Sequence, residues 1–496
     1  MKTTNEKMAV KDKASTLKEL KASKYTYRSI REELRQNLIS KIRTKTSLFK
    51  GIYGYDQTVI PDVERAVLSG HNILFLGLRG QAKTKMARQL IQLLDEYIPI
   101  IKGSEINDNP INPISKYGKE MIALHGDDCP IDWIHRNQRY VEKLATPDVS
   151  ISDLIGDIDP IKAAQKNIAY DDEYAIHFGL IPRSHQSIFV INELPDLQAR
   201  IQVALFNILE ERDLQIRGFK FKLPLDVFFI FTANPEDYTQ RGTIITPLKD
   251  RIESQILTHY PEDIETALQI SQQEAHIPEN IKKSIYIPKL MLQILEQIAF
   301  TARDSEMVDE KSGVSARLSI SALELLYSTI ERRMLMNNEL KGSARIADLL
   351  AIVPAITGKM ELVYEGEQIG AYEVALAMIN DSILEQCQPL FPKIITTGKQ
   401  KTINPYQTIC DWFTKGNTVS LGTNDSELKF KESLSQIPEL QDFFKGKDKN
   451  DILFLKECML HIIAASNIIQ KEWQDQRIVY KDQLASMLND LDLSTN

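Results

Sequence analysis

Lys83 and Thr84 close the segment ILFLGLRGQAKT (residues 73–84), a pairing that suits phosphate. The segment approaches G-x-x-x-x-G-K-[ST]. In that pattern backbone N–H groups wrap a polyphosphate, the lysine reaches the β- and γ-phosphates, and the hydroxyl ligates Mg²⁺. The loop comprises Gly77, Leu78, Arg79, Gly80, Gln81, Ala82, Lys83 and Thr84. Ala82 stands where the last glycine is usual. Glycine is required there if φ is positive or a Cβ would collide. Otherwise alanine is tolerable, and at a positive φ it costs ~1 kcal/mol. The flanks suit such a loop. ILFL predicts a strand, and TKMARQLIQLLDEY predicts a helix whose N-terminus adds favourable partial charge.

Four further segments carry matching chemistry. SIFVINELPDL (187–197) is an apolar strand ending in Asn192 and Glu193. Hydrolytic sites with this loop usually end that strand in Asp-Glu, the Asp holding the Mg²⁺ shell and the Glu activating water. Asn192 keeps an accepting oxygen but lacks the charge, so it holds Mg²⁺ less firmly. DVFFIFTANPEDY (226–238) is a buried strand ending at Asn234, which can bond the attacking water or the γ-phosphate; Pro235 stops the strand. TPLKDRIESQI (246–256) offers Arg251, and GVSARLSISALELL (313–326) offers Arg317 at the mouth of a helix. Arginines so placed can stabilise γ-phosphate charge, Arg251 across a subunit boundary and Arg317 from a lid. Taken singly, each segment has a plain structural reading: a chance glycine turn, a buried strand with a polar edge, an Asn-Pro turn, two surface arginines in ion pairs.

Together and in this order they resemble the AAA+ ATPases, and within them the MoxR and magnesium-chelatase ATPase-subunit branch. The resemblance rests on GLRGQAKT, DLIGDIDP (153–160), FGLIPRSHQSIFVINELPDLQARIQVALFNILEERDLQIRGF (178–219), FTANPEDY, PLKDRIESQI and VSARLSI, and covers about residues 50–370. It implies Walker A at 77–84, Walker B at 188–193, sensor 1 at Asn234, an arginine finger at Arg251 and sensor 2 at Arg317. The catalytic set is then Glu193, Asn234, Arg251 and Arg317, with Thr84 and Asn192 at the metal. ATP and Mg²⁺ are the implied cofactors. The implied assembly is a homo-oligomeric ring, hexameric in the family, and the implied client a protein, often with a von Willebrand A-type domain. The expected task is remodelling or metal insertion in a chaperone-like manner. A magnesium-chelatase motor subunit is the narrower alternative, and a nucleotide-gated scaffold that does not hydrolyse is the alternative that Ala82 and Asn192 motivate.

The elements that must carry these residues follow from the apolar pattern. Continuous apolar strands (73–76, 187–191, 226–233) alternating with helical stretches imply a parallel sheet covered on both faces. The expected fold is α/β: a P-loop AAA+ parallel sheet flanked by helices, then an all-α lid and a mostly helical C-terminal region. The expected divisions are a basic helical extension (1–50), the ATPase domain (51–260), the lid (261–370) and the C-terminal region (371–496). Helical periodicity runs over residues 15–45. LQIRGFKFKLPLD (214–226) reads as a hairpin around Gly218, either a partner sensor near residues 217–222 or a plain structural hairpin. Residues 146–185 form an insertion. Near the C-terminus, 391–427 contains loop-like stretches and NDILFLKECMLHIIAASNIIQKEW (450–473) a strong helix.

Composition narrows the class. The 496 residues are 43% hydrophobic and 26% charged, ordinary for a globular protein. No apolar run approaches the roughly 18–20 residues of a membrane span. The first twenty residues lack the apolar core of a secretory signal. Cys129, Cys387, Cys410 and Cys458 lie far apart and read as reduced thiols of a cytoplasmic protein. Residues 1–50 hold 14 Lys/Arg and 5 Asp/Glu, a net of +9, so the rest of the chain carries −17 of the total −8. The basic segment suits nucleic acid or an acidic partner, or is a solvated helical extension. The acidic body disfavours a DNA motor.

Overall fold

The computed structural model describes residues 13–169, 172–211, 214–216, 219–221, 223–235, 242–309, 312–393, 404–440, 442–444, 446, 448–474 and 477–482. The chain divides into two compact units, Met1–His259 and Tyr260–Asn496.

The first unit is built on five strands: β1 (Ile73–Leu76), β2 (Tyr140–Leu144), β3 (Ser187–Asn192), β4 (Val227–Ala233) and β5 (Ser254–Leu257). They lie in the order β5-β1-β4-β3-β2. Every pair is parallel. The three central strands are the apolar runs. β3 and β4 are buried along their whole length, as strands covered on both faces must be. The edges β2 and β5 are half-exposed and carry charged or polar residues, so no apolar run announces them.

Alternation along the strands makes two cores. One face presents Ile73, Phe75, Ile188, Val190, Phe228 and Ile230 to three helices: α1 (Ile30–Arg43), α2 (Val59–Ser69) and α3 (Lys83–Gln89). The other presents Leu74, Phe189, Ile191, Phe229 and Phe231 to α4 (Ala199–Glu211) and α5 (Thr246–Arg251). The covered parallel sheet is therefore as expected.

The basic segment differs from the single helix its periodicity predicts. It forms Leu17–Ala22 and then α1, with Lys24 at φ 60° between them. A capping box of Ser29 and Glu32 restarts the chain: Ser29 Oγ accepts the Glu32 amide, and the Glu32 carboxylate accepts the Ser29 N–H. Three of its arginines are bonded inside the unit. Arg28 pairs with Asp95, Arg31 donates to the Gly70 carbonyl at 2.8 Å, and Arg35 to that of Leu68 at 2.9 Å. Leu214–Ile216 pairs antiparallel with Phe219–Phe221, but the turn at 217–218 and residue 222, where partner sensing was expected, lie outside the described residues. Within 146–185, Gly156–Ile158 pairs with Ile176–Phe178.

The second unit packs α6 (Lys289–Asp304), α7 (Arg317–Asn337), α8 (Ala371–Cys387) and α9 (Ile452–Ala465) around one continuous core from Ala275 to Tyr480. Two readings of its C-terminal part are corrected. The helix expected over 450–473 ends at Ala465; Asn467 turns the chain at φ 56°, and Ile469–Gln474 is a strand. The stretch read as a loop contains the strand Val419–Gly422. Both join Arg477–Asp482 in a three-stranded antiparallel sheet. Apolar residues alone do not separate a buried helix from a strand in so short a run. Burial pushes Glu457 of α9 up to about 7 while it accepts the amides of Ile346 and Ala347 at 2.6 and 3.2 Å. The four cysteines are buried and free. No helix of the described residues is long and apolar enough to cross a membrane.

Candidate active site

Parallel pairing brings the C-terminal ends of β1, β4 and β3 to one edge of the sheet. Leu76 is level with Ala233, and Phe231 with Ile191. Loops leaving this edge are where open parallel sheets bind ligands. The loop at 77–84, Asn192, Glu193 and Asn234 all arise there.

The loop is held on several sides. The Gly77 amide donates to the Ala233 carbonyl at 3.2 Å, and the Thr258 amide to the Leu76 carbonyl at 2.9 Å. The Thr258 hydroxyl donates to Gln81 Oε1 at 2.7 Å. The Tyr55 hydroxyl lies 3.0 Å from the Gln81 carbonyl and 2.8 Å from that of His259. A Cβ at Gly77 would sit 2.1 Å from Thr258 Oγ1 and 2.2 Å from Gln81 Oε1, so any other residue forces the Thr258 and Gln81 side chains that brace the loop to move. Gly80 has φ 80° and Ala82 has φ 56°, ψ 14°. The sequence question at Ala82 thus has an answer: the position does demand a left-handed backbone, and alanine adopts it at a cost. Ala82→Gly is expected to stabilise the first unit by roughly 1 kcal/mol, less the packing of one methyl. Chemical unfolding of the pair would measure it, and a destabilised variant would mean that the methyl contact outweighs the strain.

Lys83 is 8% exposed, and its ammonium donates to the Gly77 carbonyl and, at 2.9 Å, to that of Leu78. The charge therefore sits within the curl of the loop. Thr84 follows, half-buried in the first turn of α3. Glu193 leaves β3 with φ 55° and ψ 52°, a second left-handed non-glycine residue at this edge. Asn192 and Asn234 are 7% and 1% exposed. A buried cation and a loop of amides suit a polyphosphate. The oxygens of Thr84, Asn192 and Glu193 suit a hard cation such as Mg²⁺, which takes one or two protein ligands beside substrate phosphates. Among the described residues no group of three or more His, Cys, Asp or Glu could hold a metal by itself.

Arg251 ends α5, and its guanidinium is engaged within its own chain. Its Nε lies 3.1 Å from Glu210, its Nη1 donates to Asp250 at 2.6 Å, and Phe206 underlies it at 4.9 Å. Arg317 belongs to the second unit, exposed at the first residue of α7. Several site residues escaped the sequence reading: Tyr55 and Thr258, which brace the loop, Glu142 and Thr232, which bond Asn192, and Arg88, which pairs with Glu142. The one signal for Glu142 is a charge inside a strand, in YVEKL.

The strand order, the lysine-bearing loop after β1 and the acid after β3 define the α/β P-loop fold of AAA+ ATPase domains. The chain carries such a domain: residues 131–252 match the AAA domain family, dynein-related subfamily. That match begins beyond the loop, so the loop stands on its own geometry. Among solved structures, a candidate ATPase of Cytophaga hutchinsonii is 17% identical over 70% of this chain and 96% of its own, with a TM-score of 0.30. NtrX of Brucella abortus in complex with ADP is 14% identical over 70% and 66%, with a TM-score of 0.38. The complex between BchI and BchD of magnesium chelatase gives 17% over 64% and 98%, with a TM-score of 0.33. Likenesses this distant carry no argument about function. A search of curated proteins finds no match.

Proposed function

We propose that the chain is a Mg²⁺-dependent ATPase whose first unit binds and hydrolyses ATP. The observation that carries this reading is the buried Lys83 ammonium inside a left-handed loop at the same sheet edge as Glu193. Lys83 and the loop amides hold the phosphates. Thr84 and Asn192 share the Mg²⁺ shell, Glu193 polarises water and Asn234 orients it. Arg251 must leave Glu210 to serve a neighbouring subunit, so its role requires a ring; the family pattern is hexameric. For Arg317 the resemblance implies a γ-phosphate sensor. The branch resembled suggests a protein client, with a von Willebrand A-type domain as the first candidate, remodelled or loaded with metal. A magnesium-chelatase motor is the narrower form of the same reading.

Phosphate release by the purified protein with Mg²⁺ and ATP tests it, beside Lys83→Ala. Turnover that vanishes with the lysine supports the reading. The strained Ala82 and the uncharged Asn192 favour one second reading, a nucleotide-gated scaffold. Binding without turnover would establish that instead, and no binding would end both.

A further inference from the structure

The asparagine at 192 is not isolated. Tyr140 and Glu142 on β2 lie level with Ile188 and Val190 on β3, so alternation places Glu142 on the same face as Asn192. Asn192 Nδ2 donates to Glu142 Oε1 at 2.6 Å. The Thr232 hydroxyl on β4 donates to Asn192 Oδ1 at 3.1 Å, and the Glu193 amide donates to Thr232 Oγ1 at 3.2 Å. On the far side Arg88, one turn beyond Thr84 on α3, donates from Nε and Nη2 to Glu142 at 2.8 and 2.9 Å. A chain of bonds therefore runs from the helix of the phosphate loop across β2, β3 and β4 to the backbone of Glu193.

Its direction is fixed by the groups themselves. An ionised carboxylate only accepts. Asn192 must then turn its NH₂ toward Glu142 and its carbonyl toward Thr232. The Thr232 proton is committed to that carbonyl, which leaves a lone pair for the Glu193 N–H. The Arg88 guanidinium, bonded through two N–H groups, stabilises the ionised form of the Glu142 carboxylate. An aspartate at 192 would still accept from Thr232, but it has no donor for Glu142 and would set a second carboxylate against it.

We propose that Glu142 is a positioning residue for the hydrolytic site, carrying the charge absent at 192 and, through Asn192 and Thr232, fixing the left-handed backbone from which Glu193 reaches water. The proposal rests on the ATPase reading. It makes Asn192 the residue this network requires, where the sequence alone suggests a weakened Asp.

The two views predict opposite signs. If 192 merely lost its acid, Asn192→Asp raises turnover. If Glu142 has taken over the charge, Asn192→Asp lowers kcat by roughly 10–100-fold, as loss of an orienting partner does, with nucleotide Kd within about threefold. Adding Glu142→Gln to Asn192→Asp lets the new amide donate to the new carboxylate, and kcat recovers. Turnover, binding of a fluorescent nucleotide and the thermal midpoint are measured for wild type, both single variants and the pair. Recovery in both kcat and midpoint supports the proposal. A gain from Asn192→Asp alone, or a pair no better than that single variant, overturns it. A single variant that folds poorly is read through the pair, whose restored midpoint shows the coupling. If wild type binds nucleotide without turnover, the ATPase reading fails and the catalytic part of the proposal fails with it. The midpoints then still decide whether 142 and 192 are coupled.

Discussion

Glu193→Gln is expected to lower ATP turnover by roughly 10²–10⁴-fold, the range a positioned general base contributes, while nucleotide affinity stays within a few-fold. The argument is geometric. The Glu193 backbone is held through its own N–H on Thr232 and by its place at the end of a fully buried strand. Glutamine has the same length and asks nothing new of that backbone, so the change removes the negative charge and keeps the size of the side chain. Lys83 and the loop amides, which bind the phosphates, are untouched. Steady-state phosphate release and equilibrium binding of a fluorescent nucleotide separate the two effects. Equal loss of both would mean that the variant disturbs the loop. Unchanged turnover would mean that another group activates water, with Glu142 on the neighbouring strand the first to examine.

The parts of this site that lie along one stretch of chain were legible in the sequence. ILFL followed by two glycines, a lysine and a threonine shows a strand, a turn and a phosphate-binding chemistry within twelve residues. The polar ends of two apolar strands are equally local. Three things were not legible, each for a physical reason. β2 and β5 sit at the sheet edges, where half-exposed positions tolerate Glu, Lys, Ser and Gln, so they lack the apolar run that marks a central strand. Bonds between strands depend on register, which no single segment contains; hence Asn192 reads as a deficit until Glu142, fifty residues away, is seen beside it. The sign of φ at Ala82 is set by the turn around it, and alanine does not announce it. In the second unit, IIQKEW continued an apolar helix in the sequence, yet from Ile469 onward the chain pairs with Arg477–Asp482 in a sheet.

Removing Glu33 is expected to cost the first unit about 3–5 kcal/mol, the usual price of stranding one member of a buried ion pair. Glu33 lies on α1, and its carboxylate takes both Arg139 Nη1 and Nη2, at 2.7 and 2.6 Å. The two side chains are 5% and 1% exposed. Arg139 also donates from Nε to the Gln186 carbonyl at 2.9 Å, and Glu33 accepts the Asp95 amide at 2.6 Å. With Glu33→Ala the guanidinium stays behind in a site closed to water, with one carbonyl where it had a carboxylate. For a unit of this size that corresponds to a fall in thermal midpoint of roughly 6–20 °C. The double variant Glu33→Leu with Arg139→Met is expected to recover most of the loss, because it removes both charges from the same site. The comparison decides what the basic segment is. If α1 is part of the sheet's core, as the burial of Ile30, Leu34 and Leu38 indicates, the single variant unfolds the ATPase unit early and the double does not. If neither variant moves the midpoint, α1 is an appendage, and the positive charge of the segment is available for a partner outside the chain.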